Sequence, residues 1–136
     1  RLTRFAETDL RIVMKPRHWL VASPDGSTLA VLLQQKSNPP QLFTIEVVTQ
    51  KLTQRTFIAG GIRTAISWSK DGGLIAFGSE TAVYALDTLT WKVREVAEVQ
   101  DGRLLPLVCC ISPDAKQIAV QVRDGETNHI GIATVR

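Results

Sequence analysis

The sequence predicts an all-β chain made of β-propeller blades, and three observations carry that prediction. One phrase recurs three times, as Ser-Pro-Asp-Gly-Ser-Thr-Leu-Ala-Val (23–31), Ser-Lys-Asp-Gly-Gly-Leu-Ile-Ala-Phe (69–77) and Ser-Pro-Asp-Ala-Lys-Gln-Ile-Ala-Val (112–120). Its spacing is 46 residues from Asp25 to Asp71 and 43 from Asp71 to Asp114, a period that belongs to blades of four strands. The strand after each phrase is a near-continuous apolar run, which requires cover on both faces. Sheets stacked radially on their neighbours meet that requirement.

Each phrase reads as a tight hairpin turn. Pro24 and Pro113 pre-set φ, the carboxylates of Asp25, Asp71 and Asp114 cap turn amides, and Gly26 and Gly72 accept a positive φ. Ala115 replaces that glycine in the third copy, so its turn either differs in type or is strained. Inner strands precede the turns (Trp19–Ala22, Thr64–Trp68, Leu107–Ile111) and second strands follow (Leu29–Leu33, Leu74–Phe77, Ile118–Val122). Ala30, Ala76 and Ala119 hold equivalent places, where a small residue lets sheets approach near the axis. Third strands follow at Leu42–Val47, Ala82–Leu86 and Ile130–Val135. Matching turns at Glu46 and Asp87 lead to fourth strands, Lys51–Ile58 and Lys92–Val99, whose polar alternation suits a half-solvated outer edge.

The third copy ends at Arg136 with three strands, and Arg1-Leu2-Thr3-Arg4-Phe5 reads as a fourth strand lacking its first three. The division is therefore residues 1–16 as outer strand and linker, 17–59 and 60–100 as blades, and 101–136 as an incomplete blade. Rings usually need about 4–8 blades, so about three belong to a larger propeller or assemble into one. Two flanks of the stack should present apolar sheet faces, which monomers rarely expose. Self-association, or pairing with the remaining blades of a longer propeller, is the partner this predicts, beside a protein partner for the module.

At 136 residues, 44% hydrophobic and 21% charged, the chain is globular. The net charge of +3 is interspersed, which argues against a nucleic-acid surface. No run approaches the ~18 apolar residues of a membrane helix, and no signal peptide is visible, so a cytoplasmic location is expected. The first residue is Arg1 rather than Met, as expected of a trimmed N-terminus. Cys109 and Cys110 are adjacent on an inner strand, point to opposite faces and are expected as two small buried hydrophobes rather than a disulfide.

Arg17, His18 and Trp19 are the candidate ligand-binding residues. They precede the first inner strand, which in a propeller lies near a mouth of the central channel. Arg17 can clamp a carboxylate and Trp19 can stack on a sugar face. In the opposing reading Trp19 fills the space between blades, His18 bonds a backbone carbonyl and Arg17 is solvated. His129 follows a polar hairpin loop, and two distant histidines do not make a metal site, so no metal is assigned. The sequence holds no nucleophile elbow, phosphate loop or Cys-x-x-Cys. The turn aspartates recur in every copy and are structural. Trp68 is expected between blades, and Trp91, in an outer turn, is expected to be exposed.

The repeats resemble the TolB-like propeller family, whose WD40-like motifs appear as Ser23–Val31, as Val83-Tyr84-Ala85-Leu86-Asp87, and as Leu2-Thr3 and Leu52-Thr53. Arg1-Leu2-Thr3, Pro16-Arg17-His18-Trp19, Gln41-Leu42, Trp68 and Ser112-Pro113-Asp114 are similar to the C-terminal third of an enterobacterial TolB-like family, a domain of unknown function. This resemblance covers essentially the whole chain. It implies a propeller of about seven blades, of which these are the last three, and it carries no established activity. A more distant likeness is to the propeller lyases that cleave oligogalacturonate with a divalent metal held by histidines. It would make His18 one ligand of a metal that acidifies a uronate α-proton. The expected function is a non-catalytic interaction or ligand-binding scaffold without cofactor; the lyase type, with its divalent metal, is the alternative.

Overall fold

The computed structural model describes residues 10–12 and 20–136, with the backbone alone at 10–12 and 106–108. Among the described residues there are twelve strands and no helix. They are β1 (Leu10–Ile12), β2 (Leu20–Ala22), β3 (Thr28–Gln35), β4 (Gln41–Glu46), β5 (Leu52–Gln54), β6 (Ser67–Trp68), β7 (Leu74–Gly78), β8 (Ala82–Asp87), β9 (Val93–Glu98), β10 (Arg103–Ile111), β11 (Gln117–Asp124) and β12 (Thr127–Thr134). All pairings are antiparallel. The first sheet runs β3-β4-β5 with both β1 and β2 on the inner edge of β3; the second is β6-β7-β8-β9 and the third β10-β11-β12. The sequence assigned Leu10–Ile12 to linker, whereas they pair with Gln35–Leu33 as inner strand.

The inner strand departs from a regular ladder at one level in every sheet. Ile12 pairs with Leu33 and Leu20 with Val31, which leaves Leu32 between the two pairings. In the third sheet Leu104 pairs with Val122 and Cys109 with Val120, so four residues face Gln121 alone. Gly78 is the equivalent position of the second sheet. Its carbonyl accepts from both Arg63 and Thr64 amides, and its amide donates to Thr64 Oγ1 at 2.7 Å.

The three repeated turns are built alike. The hydroxyls of Ser23, Ser69 and Ser112 donate to Oδ1 of Asp25, Asp71 and Asp114 at 2.7, 2.7 and 2.6 Å. The same Oδ1 atoms accept the amides of Ser27, Gly73 and Lys116 at 3.0, 2.9 and 3.0 Å. The serine oxygens accept the amides of Thr28, Leu74 and Gln117, so each turn is closed without help from its neighbours. Ala115 has φ 60°, against 74° for Gly26 and 76° for Gly72. The third turn therefore keeps its type and carries the strain, which resolves the alternatives that the sequence left open. The outer turns also match: Gln50 and Trp91 sit at φ 58° and 57° and donate to the Glu46 and Asp87 carbonyls, each at 2.7 Å.

Apolar faces meet sheet on sheet. Ala30, Leu32 and Leu42 of the first sheet pack with Ile75, Phe77 and Leu86 of the second, joined by Ile62 and Ile66. Ala76 and Val83 pack on Leu104, Cys109, Ile111, Ile118, Val120 and Val122 of the third. Phe77 and Tyr84 stack at 5.6 Å within the second sheet. The repeated alanines thus face the following sheet: Ala30 and Ala76 are fully buried, while Ala119 is half-buried on the outer flank of the third sheet.

The cover predicted for all second strands holds for β3 and β7 but not for β11, which alternates buried and open positions. Its open side continues across β12 into Ile130 and Ile132, 61% and 59% exposed. The first sheet's far side differs from the expected bare flank, because Val31, Leu33 and Phe43 are buried there with Ile45 and Leu52 packed on them.

Fourth strands are shorter than the sequence suggests. β5 ends at Gln54 because side chains take over the ladder: Thr56 Oγ1 accepts the Leu42 amide at 2.9 Å and donates to Gln41 Oε1 at 2.6 Å. Gln41 in turn accepts the Ile58 amide and donates Nε2 to the Ile58 carbonyl. Among the described residues no helix is long and apolar enough to cross a membrane.

Candidate functional site

Two clefts adjoin where the first and second sheets meet, and Pro24, Trp68 and Lys70 form their shared wall. The channel-side cleft, about 530 Å³, lies along the inner strands of all three sheets, between Val21-Ala22, Ala65–Ser69 and Cys109-Cys110. Side-chain bonds fix these strands to one another. Trp68 Nε1 donates to the Val21 carbonyl at 3.0 Å, and the Ile111 amide donates to Ser67 Oγ at 3.0 Å. The first bond holds the indole between sheets, as its repeat position predicts.

The turn-side cleft, about 470 Å³, is bounded by the Ser23–Thr28 turn on one side and by Trp68, Lys70, Asp71, Thr88 and Trp91 on the other. Trp91 is half-buried rather than exposed, a correction to the sequence reading. The Arg55 guanidinium lies 3.7 Å from its ring centroid, and Arg55 Nε donates to Thr44 Oγ1 at 2.8 Å. Burial lowers the pKa of Arg55, and Glu46 opposes that shift. The turn's outward course led the sequence reading astray; the signal it lacked was an arginine on the neighbouring sheet.

The Ser27 amide, then the Ser23 and Ser27 hydroxyls, hold the Asp25 carboxyl down to about 2. The Gly73 amide and the Ser69 hydroxyl lower that of Asp71. Both groups are solvent-facing anions whose hydrogen bonds all use Oδ1. Cys109 and Cys110 are free thiols. Cys109 is buried, which pushes its pKa up to about 12, but Cys110 is exposed on the uncovered flank of its sheet, contrary to the expectation of two buried residues.

Arg17, His18 and Trp19, the binding candidates of the sequence, lie outside the described residues. In the sequence they directly precede β2, whose Val21 and Ala22 line the channel-side cleft. His129 is exposed on β12, opposite Val122, and lines a groove between the second and third sheets. Among the described residues no three His, Cys, Asp or Glu side chains converge to hold a metal.

The sheet stacking has close parallels among solved structures. TolB from Acinetobacter baumannii superposes with TM-score 0.67 at 21% identity, over 85% of this chain and 29% of that one. The fold is that of a TolB-like β-propeller. An oligogalacturonate lyase in complex with manganese gives TM-score 0.69 at 16% identity, over 94% of this chain and 36% of that one. A prolyl endopeptidase gives 0.68 at 16% identity, over 93% of this chain and 20% of that one. The chain thus spans between 20% and 36% of the length of these three proteins. No protein-family model and no curated protein matches the sequence. Proteins this different share a scaffold, and function on a scaffold has to be argued from the site.

Proposed function

We propose that this chain is a non-catalytic module of a TolB-like propeller, of the enterobacterial kind its sequence resembles, that binds a protein or small ligand where its first two sheets meet. One observation carries the reading. The polar groups that recur in every repeat are consumed by turns, whereas the residues that break the repeat, Trp68, Lys70 and Trp91, gather at the two adjoining clefts. Arg17, His18 and Trp19, which directly precede β2 in the sequence, remain the binding candidates. The module works without cofactor and without membrane or nucleic acid, and it associates with a second copy or with further sheets of a longer propeller through the open face of β11 and β12. A cytoplasmic location suits its unpaired thiols.

The alternative is an enzyme of the oligogalacturonate lyase type, supported by the similarity to the manganese-bound lyase. Such a protein needs several converging ligands for its divalent metal. The described residues do not fit that need, since His129 is isolated on β12 and the turn aspartates are held within their own turns. We derive no catalytic step through a metal. The two readings separate by elemental analysis of the purified protein, together with the ultraviolet absorbance of unsaturated uronate released from oligogalacturonate. Both should be blank. Uronate release that His18→Ala abolishes would establish the lyase and overturn the scaffold.

A further inference from the structure

We propose that the turn-side cleft is a binding site for a guanidinium or ammonium group presented by another polypeptide. This rests on the scaffold reading and names the ligand chemistry of one of its clefts. The argument begins from departures from the repeat. Trp68 stands where the other copies have Ala22 and Ile111, three residues before the turn aspartate. Trp91 stands where the matching outer turn has Gln50, at the same left-handed φ. Neither indole recurs at the equivalent place in the other copies, and beyond packing at the edge of the core between the first two sheets each is also open to solvent. Yet both indoles line the same cleft of about 470 Å³.

The ring of Trp91 is already a cation platform. Arg55 stacks over it at 3.7 Å and is not among the residues that line the cleft. An aromatic face of this kind attracts a cation, and more strongly when water is excluded. The cleft adds two anions from adjacent sheets, Asp25 and Asp71. Their turn bonds occupy Oδ1 and leave the Oδ2 side to the solvent and to a ligand. Lys70 is the single cation among the lining residues, which leaves the wall with a net negative charge. A planar guanidinium matches both a carboxylate edge and an indole face, so arginine should exceed lysine. By the same charge the cleft disfavours uronates.

The test is a titration of the folded chain, followed by tryptophan fluorescence and by amide chemical shifts. The probes are a tri-arginine peptide, its tri-citrulline isostere and the single group N-acetyl-arginine amide. The peptide should perturb Trp68, Trp91 and both turns, weaken as salt rises, and bind at least tenfold better than the citrulline form. The single group should bind measurably but more weakly; binding equal to the peptide's overturns the assignment to a polypeptide ligand. Asp25→Asn with Asp71→Asn keeps an oxygen for the turn bonds, removes both charges and should lower affinity at least tenfold. Lys70→Met should raise affinity about threefold, a sign that a neutral ligand such as a sugar would not give. Equal binding of citrulline, no response to Lys70→Met, or shifts confined elsewhere would overturn the site. A blank titration sinks this cleft alone; the scaffold reading falls only to the lyase assay.

Discussion

Replacing Ala115 by glycine should stabilise the chain, and the three equivalent turns allow the size of the gain to be worked out. Ala115 sits at φ 60° in the position that Gly26 and Gly72 fill at 74° and 76°. A side chain in this left-handed region costs roughly 1–2 kcal/mol relative to a right-handed one. Glycine returns about 0.4–1 kcal/mol of that through the greater freedom of its unfolded chain. The half-buried Ala115 methyl also packs at the edge of the core between the second and third sheets, a contact worth about 0.4 kcal/mol at half the value of a buried methylene. The expected net gain is about 0.4 kcal/mol, taking the middle of each range. Gly26→Ala is the mirror experiment. No atom lies within 4 Å of a Cβ added there, so packing returns nothing and the loss should be about 0.8 kcal/mol. Urea unfolding of the two variants and the parent, at constant m, reads the difference as shifts of midpoint in opposite directions. If Gly26→Ala is neutral while Ala115→Gly destabilises, φ is not what distinguishes these turns and the argument fails.

Thr56→Val keeps the shape of a fully buried side chain but strips the hydroxyl that joins the Leu42 amide to Gln41. An unsatisfied buried donor costs about 1–3 kcal/mol, so a loss near 2 kcal/mol in urea is expected, and a loss below 0.5 kcal/mol would mean that the ladder does not depend on Thr56. The open face of the third sheet should drive association. Light scattering of the 15.0 kDa chain should give a multiple of that mass, and Ile132→Lys should return it to one copy. A parent already at one copy, with a sharp cooperative melt, would refute this.

Local chemistry made much of the architecture legible in the sequence. A turn closed by Ser, Asp and two backbone amides within six residues needs nothing from elsewhere in the chain, so each copy announced itself. Ala30 and Ala76, five residues after their turn aspartates, also read correctly, because each meets a neighbouring sheet, whereas Ala119 faces the open flank. The clefts were harder. Trp68 was placed between sheets from its position alone, but Trp91 was assigned to the surface because the residue that covers it, Arg55, is 36 positions away on another sheet.

The sequence by itself determined the repeat, its turns and the order of the repeated strands within each blade, since all of these follow from contacts inside one unit of some forty residues. Only the tertiary structure decided which flank stays bare, which thiol is exposed, and that two indoles and two carboxylates face one cleft. Those outcomes depend on how one sheet is set against the next. Pairing of side chains across an interface leaves no periodic trace in a chain whose sheets are joined end to end.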